Sequence, residues 1–390
     1  MALPREVAAV FVAKTARTFC YGFLGIVLPV YLAALGMSAV GVGVAVTLTL
    51  AASGALTWAI RRPAERYGGR AALLGLAALS GVAALILLRS SNPWLVVAAA
   101  MLGNVAVGAG ETGPFLTVEQ VLIARAVPAP RRTAFLSVYN LLGYGAAAFG
   151  AAVVGVLPAY GPLFLVFLGG AGVQSLAYLR LKGGPAVVRK PGGTLPSAPL
   201  IRRMAALFAL DSFAGGFVVQ SLVAYFLHAR YGLGLDALGL VFFVSQLLTA
   251  ASLGLAAPLA RRFGLLNTMV VSHLASNVVL IAIAVAPTAG SAVGLLFLRH
   301  LLSQMDVPTR QAYVMAVVDD HEREAAATTT TLARTVAQAL TPALTGWVMQ
   351  AIALSAPFAL GGTLKIVYDV LLYASFRRVA LRSEGEGAAT

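Results

Sequence analysis

Twelve apolar runs follow one another along the chain, at 8–33, 39–60, 71–89, 93–124, 132–156, 161–180, 204–229, 236–258, 266–287, 290–317, 325–351 and 356–376. A bilayer core about 30 Å thick is crossed by about 20 apolar residues in an α-helix. Lipid offers no hydrogen bonds, so a spanning segment satisfies its backbone internally as a helix or joins a closed barrel. Runs of this length read as helices. The sequence thus predicts an all-α polytopic membrane protein with twelve transmembrane helices, numbered here as runs 1 to 12. Composition agrees: the chain is 59% hydrophobic and 11% charged, with a mean hydropathy of +0.88, whereas soluble domains average about 25% charged residues.

The net charge of +14 raises the question of a nucleic-acid partner, and the placement of the charges answers it. With both termini cytoplasmic, the inside segments hold Arg5, Arg61, Arg62, Arg66, Arg70, Arg125, Arg131, Arg132, Arg180, Lys182, Arg189, Lys190, Arg202, Arg203, Arg261, Arg262, Arg323, Arg377, Arg378 and Arg382, whereas the outside loops hold Arg89 and Arg230. This is the positive-inside bias. It accounts for the basic balance without nucleic acid and places the chain in the cytoplasmic membrane, in contact with lipid. A first segment this long, with Lys14 and Arg17 inside its apolar part, reads as a retained helix rather than a cleaved leader. The single cysteine, Cys20, excludes an internal disulfide or a cysteine-rich metal centre.

One long hydrophilic stretch, "LKGGPAVVRKPGGTLPSAPLIRR" at 181–203, reads as a cytoplasmic linker. The expected division is a bundle over 1–180, the linker, a second bundle over 204–380 and a tail over 381–390. The halves repeat: "ERYG" at 65–68 matches "RRFG" at 261–264, Glu119-Gln120 matches Arg310-Gln311, and Gly155 falls on Gly346. The two six-helix bundles are therefore expected to be pseudo-symmetric.

The loop "RRPAERYGGR" after run 2 is similar to a signature of the major facilitator superfamily, a glycine followed by Asp-Arg-x-Gly-Arg-Lys. Glu65 stands for the acid, with Arg66, Gly68 and Arg70 in pattern, while Arg61 and Gly69 replace the leading glycine and the next arginine. With the two halves and the basic linker, the resemblance covers almost the whole chain. It implies transport by alternating access, with runs 1, 4, 7 and 10 lining a central cavity and the loop residues Glu65, Arg66, Gly68 and Arg70 acting as a conformational switch. The glycine-rich "GYGAAAFGAAVVG" of run 5 echoes the family's antiporter signature.

Inside the runs lie Lys14, Arg17, Arg299, Arg310, Arg334 and Lys365 against Glu111, Glu119, Asp211, Asp306 and Asp369. Unpaired, these would cost roughly 30 kcal/mol, so pairing is expected. Arg17 corresponds to Asp211 and Glu119 to Arg310, with the signs exchanged between halves. The candidate pairs are Arg17 with Glu119 and Asp211 with Arg310, or the same residues crossed between halves. Arg17, Glu111, Glu119, Asp211, Asp306 and Arg310 are the candidates for proton coupling or charge pairing. Glu111 in particular could exchange a proton with water. Asp306 and Arg310 are one turn apart, with Pro308 between them as an expected hinge. Lys365 and Asp369, also four apart, read as a self-neutralised pair. Tyr21, Tyr31, Asn104, Tyr139, Asn140, Phe217, Gln220, Gln246 and Arg334 are candidates for the substrate cavity, whose aromatic character suits an amphiphilic ligand.

No Walker phosphate loop, His-Glu-x-x-His or Gly-x-Ser-x-Gly sequence occurs, so neither ATP-driven transport by this chain nor hydrolytic chemistry is expected. The expected function is proton-coupled export of a small amphiphilic molecule by a monomer without cofactor or metal. Organic-anion transport, uncoupled facilitation and ligand sensing without transport are the alternatives.

Overall fold

The computed structural model describes residues 4–105, 113–182, 197–318 and 323–378. It is all-helical among these, with fifteen α-helices falling on the twelve apolar runs. Runs 1, 2 and 3 form α1 (Arg5–Ala34), α2 (Ala39–Ala59) and α3 (Arg61–Arg89). Run 4 is divided into α4 (Pro93–Leu102) and α5 (Pro114–Ala126). Runs 5 and 6 form α6 (Ala129–Val156) and α7 (Tyr160–Leu179). Run 7 is divided into α8 (Ala198–Gly216) and α9 (Gln220–Tyr231). Runs 8 and 9 form α10 (Leu235–Phe263) and α11 (Leu265–Ala284). Run 10 is divided into α12 (Ala289–Ser303) and α13 (Asp306–Val317), and runs 11 and 12 form α14 (Arg323–Ala351) and α15 (Ala356–Phe376). Nine helical stretches among the described residues, α8–α9 taken together, are long and apolar enough to cross a membrane; α4, the Pro114–Ile123 part of α5 and α12 are shorter apolar helices.

Local chemistry sets the helix ends. Asn92 caps α4 by accepting from the backbone of Trp94 and Leu95, with Pro93 in the first turn, where its missing N–H costs nothing. Thr288 and Ser291 form a reciprocal capping box on α12. Gly68 and Gly264 occupy the same position in the two halves and share one conformation, at φ 88°, ψ 162° and φ 84°, ψ 159°. Only glycine adopts that backbone without strain. The matched "ERYG" and "RRFG" segments therefore end on the same backbone turn, a kink within α3 in one half and the start of α11 in the other.

The chain packs as two compact units. Unit 1 comprises Met1–Arg189 with Val219–Leu247 and Pro342–Leu354; unit 2 comprises Lys190–Val218, Leu248–Thr341 and Ser355–Thr390. Three segments of the C-terminal half, α9, the first part of α10 and the end of α14, therefore belong to unit 1. Two glycine crossings join them to it. A side chain on Gly43 would run into the backbone of α14 at Pro342 and Gly346, and one on Gly239 into α6 at Gly155. Small residues let helix backbones approach where lipid supplies no hydrophobic drive for packing. The two crossings are symmetry mates, since Gly43 corresponds to Gly239 and Gly155 to Gly346. Ser221 adds a hydrogen bond to the Gly25 carbonyl, 2.9 Å long.

Candidate functional site

Among the described residues each unit buries an ionic network. In unit 1, α1 contributes Arg17, α5 Glu119, α6 Tyr139 and α7 Tyr178. Arg17 grips Glu119 with both ends of its guanidinium, Nη1 to Oε1 at 3.1 Å and Nη2 to Oε2 at 2.6 Å. The tyrosines complete the shell: Tyr139 donates to Oε2 at 2.6 Å and Tyr178 to Oε1 at 2.7 Å, while Arg17 Nη1 donates to the Tyr178 hydroxyl at 2.7 Å. The Phe115 ring lies 4.3 Å below the guanidinium, and Lys14 sits 4.4 Å over the ring of Tyr139. Arg17, Glu119, Tyr139 and Tyr178 are all fully buried. One acid meets one base, with neutral donors closing the carboxylate.

Unit 2 is built otherwise. Asp211 of α8 receives Lys365 of α15 on Oδ1 at 2.5 Å and Arg310 of α13 on Oδ2 at 3.2 Å. Arg310 also donates to Asp306 at 2.8 Å. His273 of α11 stands between two carboxylates, with Nδ1 2.7 Å from Asp369 Oδ1 and Nε2 3.5 Å from Asp211 Oδ1. Asn277, one turn further along α11, donates to Asp369 Oδ2 at 2.9 Å. Arg334 of α14 donates through Nε to Ser212 at 3.0 Å and makes no ion pair with the described residues. Three acids, Lys365, Arg310 and a histidine thus share one buried cluster, with Arg334 beside it. Asp211, His273 and Asp306 bring their ligand atoms within 4.8 Å of one another, but Lys365 and Arg310 already occupy both oxygens of Asp211 and Oδ2 of Asp306. The cluster is an ion-pair network, not a vacant chelate.

The pairings lie within each half, Arg17 with Glu119 and Asp211 with Arg310. Two expectations are corrected. Lys365 and Asp369 do not neutralise each other: Lys365 turns to Asp211, and Asp369 to His273 and Asn277. Four-residue spacing puts both on one face of α15, but that face looks onto α8 and α11, which offer stronger partners than a neighbour on the same helix would. Run 10 is interrupted before Pro308 rather than at it: the helix opens at Gln304 and Met305 and restarts at Asp306, so Pro308 falls in a first turn, where its missing donor is harmless.

The cavity candidates scatter. Tyr139 belongs to the ionic network. Tyr21 donates to the Gly103 carbonyl at 3.2 Å, at the end of α4, where Asn104 is buried with φ 48° and its Oδ1 lacks a partner among the described residues. Tyr31 packs against Tyr160 and Phe164, Phe217 is buried edge-on to Phe213, and Gln246 donates to Gln220 at 3.2 Å. Asn140 is exposed, as are Glu65 and Arg66; Arg70 is half-buried and Gly68 buried. Glu111 lies outside the described residues, as do 183–196 of the expected linker and the tail from 381.

Residues 10–303 match the family described as Major Facilitator Superfamily. The chain belongs to that superfamily. The fold agrees. A point mutant of the nucleoside transporter NupG superposes with a TM-score of 0.74 at 14% identity, covering 95% of this chain and 100% of that one. A D-xylose-proton symporter gives 0.70 at 13% identity over 98% of this chain and 99% of its own. Among curated sequences, the uncharacterized membrane protein YJR124C of Saccharomyces cerevisiae is 23% identical over 421 residues, covering 95% of this chain and 94% of the yeast protein. In superfamily terms, the two networks hold runs 1, 4, 5 and 6 together in one half and runs 7, 9, 10 and 12 in the other. Of the four runs expected at the cavity, three, 4, 7 and 10, are the ones whose helices break. Paired interruptions at corresponding places in two repeats are the strongest backbone pointer to a transporter's binding region.

Proposed function

We propose that this superfamily member is a secondary transporter of the cytoplasmic membrane, with both termini inside, that exports a small amphiphilic molecule by alternating access as a monomer and draws its energy from inward proton flow. The observation that carries the reading is the unit 2 network. A membrane-embedded cluster of ionisable groups is costly and is retained where charge has work to perform, and this one surrounds the interrupted runs 7 and 10. It also contains a histidine placed between two carboxylates. The xylose symporter named above couples transport to protons on the same fold, which supports the reading by analogy. The glycines of run 5 favour export, and the glycine crossings of unit 1 suit a seal that opens and closes. Unit 1's own network is a structural clamp.

A second reading, organic-anion transport, is favoured by Arg334, a half-buried guanidinium hydrogen-bonded to Ser212 without an ion-pair partner among the described residues. A carboxylate or sulfonate on the substrate would complete it.

The test is proton movement in proteoliposomes loaded with a pH dye, challenged with ethidium, chloramphenicol and taurocholate as cationic, neutral and anionic probes. Substrate-triggered proton flux supports coupling, and the responding probe assigns the charge class. Movement of labelled probe with no proton flux would make the chain a facilitator. Binding with no movement would make it a sensor.

A further inference from the structure

Three side chains in unit 2 make a contact that cannot hold in every protonation state. Lys365 Nζ lies 2.5 Å from Asp211 Oδ1, His273 Nε2 lies 3.5 Å from the same oxygen, and Nζ and Nε2 are 3.5 Å apart. Two basic groups thus face one carboxylate oxygen, and each other. Nδ1 lies 2.7 Å from Asp369 Oδ1, the anionic acceptor for its hydrogen, with Asn277 Nδ2 3.2 Å from the same nitrogen; with the hydrogen on Nδ1, the neutral ring turns its Nε2 lone pair toward the ammonium, a donor. In this arrangement the imidazole is neutral, and Lys365 is the cation that satisfies Asp211.

We propose that a proton on His273 Nε2 and the Lys365 ammonium compete for Asp211, so that Nε2 is a proton-binding site and its occupation releases Lys365 from α8. The inference rests on the coupled-transport reading for its role, though not for its chemistry. One proton from water adds to the Nε2 lone pair, and nothing else is made or broken covalently. The imidazolium then donates from Nδ1 to Asp369 and from Nε2 to Asp211. Like charges 3.5 Å apart in a low-dielectric interior repel strongly, and Lys365, on a flexible four-carbon stem, is the one that moves. The network gains one positive charge.

The surroundings support an acceptor role for His273. From α8 it faces Asp211; from α15, Asp369, Lys365 and the edge-on ring of Tyr368 at 5.7 Å; from α13, Asp306 and, one contact further through Asp211, Arg310. Arg334 of α14 and Arg299 of α12 act on the same acids from further out, and Asn277 holds Asp369 from α11. His300 of α12 is turned away, toward Thr249. The carboxylates nearest the ring outnumber the mobile cation.

The released group matters because of where it sits. Lys365 Nζ occupies the space beside Gly215, 3.6 Å from where a side chain there would begin, and Gly215 and Gly216 end α8 just before the interruption at Phe217–Val219. Proton binding therefore removes a polar tether at the broken point of run 7.

The probe is the proton itself. The full chain, reconstituted on a solid-supported membrane, is given pH jumps without substrate, and the transient charge movement is recorded. Wild type should give a transient; His273→Gln should reduce it at least ~tenfold. Lys365→Met should keep the transient and move its half-maximal pH upward by about one unit or more, since the competing cation is gone. An unchanged transient in His273→Gln, an unmoved profile in Lys365→Met, or no transient in wild type would overturn the inference. A transient lost in His273→Gln beside zero substrate-triggered flux in the dye assay would sink the coupling reading and leave the competition standing.

Discussion

The two buried networks occupy matched places in the two halves, yet they are built from different partners. Around Glu119, every carboxylate oxygen is held by two fixed donors, and the single charge pair is sealed by Phe115 and two tyrosines. Around Asp211, one carboxylate is shared by a lysine, an arginine and a histidine. The repeat has kept the pair and inverted its sign, Arg17 and Glu119 against Asp211 and Arg310. What differs is the set of helices around the pair: unit 1 supplies tyrosines, which donate and stop, whereas unit 2 supplies Lys365, Asp369 and His273, which can trade partners. The difference teaches that the neighbours of a membrane charge pair, not its own geometry, decide how many ionisable groups share it.

The largest effect that would break this comparison is on stability. Glu119→Gln leaves Arg17 buried without its counter-ion, a change worth about 3–5 kcal/mol, and thermal unfolding in detergent should show a collapse of the folded population. Replacing both, as Arg17→Leu with Glu119→Leu, should recover much of that loss. If the single variant unfolds like wild type, unit 1's network is no clamp. Next in size is Tyr178→Phe, which removes a donor to a charged carboxylate at about 1.5–3 kcal/mol; melting should fall while the pH profile of transport stays in place. A displaced profile would mean that unit 1 also moves charge.

Two smaller effects sharpen the account. Gly346→Val forces a side chain into the α2 backbone, an overpacking worth about 1–3 kcal/mol. Ser221→Cys, at a position with 2% exposure, should then react with a maleimide about tenfold faster than in the Gly346 background; equal rates would show that the glycine crossings are not a seal. Arg334→Gln should raise the taurocholate KM about tenfold under the organic-anion reading and leave ethidium and chloramphenicol untouched. No change for any probe would retire that reading.

Much of the fold was legible because lipid simplifies the code. Long apolar runs fold as helices. The matched glycines at 68 and 264 were visible as a four-residue repeat, and the structure gives them the same backbone. The pairing of Arg17 with Glu119 and of Asp211 with Arg310 could be drawn from the repeat offset, though sequence left crossed pairs open. The hub was not legible. Lys365 and Asp369 on α15, and His273 and Asn277 on α11, are two i, i+4 polar pairs, and a four-residue spacing hides where each pair points. Spacing shows only that each pair shares a face, and the faces meet through tertiary packing. Two polar stripes on different runs, each too costly to face lipid, were the available signal. Tyr139 reads as a cavity residue from sequence for the same reason: an aromatic ring in an apolar helix gives no sign of where its hydroxyl points.

The most direct test of the central claim is to neutralise one network at a time and follow substrate-triggered proton flux in dye-loaded proteoliposomes. Arg17→Leu with Glu119→Leu should retain flux within about threefold of wild type once corrected for folded protein, and Asp211→Asn should lose roughly nine-tenths of it or more. Flux that survives in Asp211→Asn, or that vanishes in the folded unit 1 double variant, would contradict the assignment of a clamp to one half and a proton device to the other.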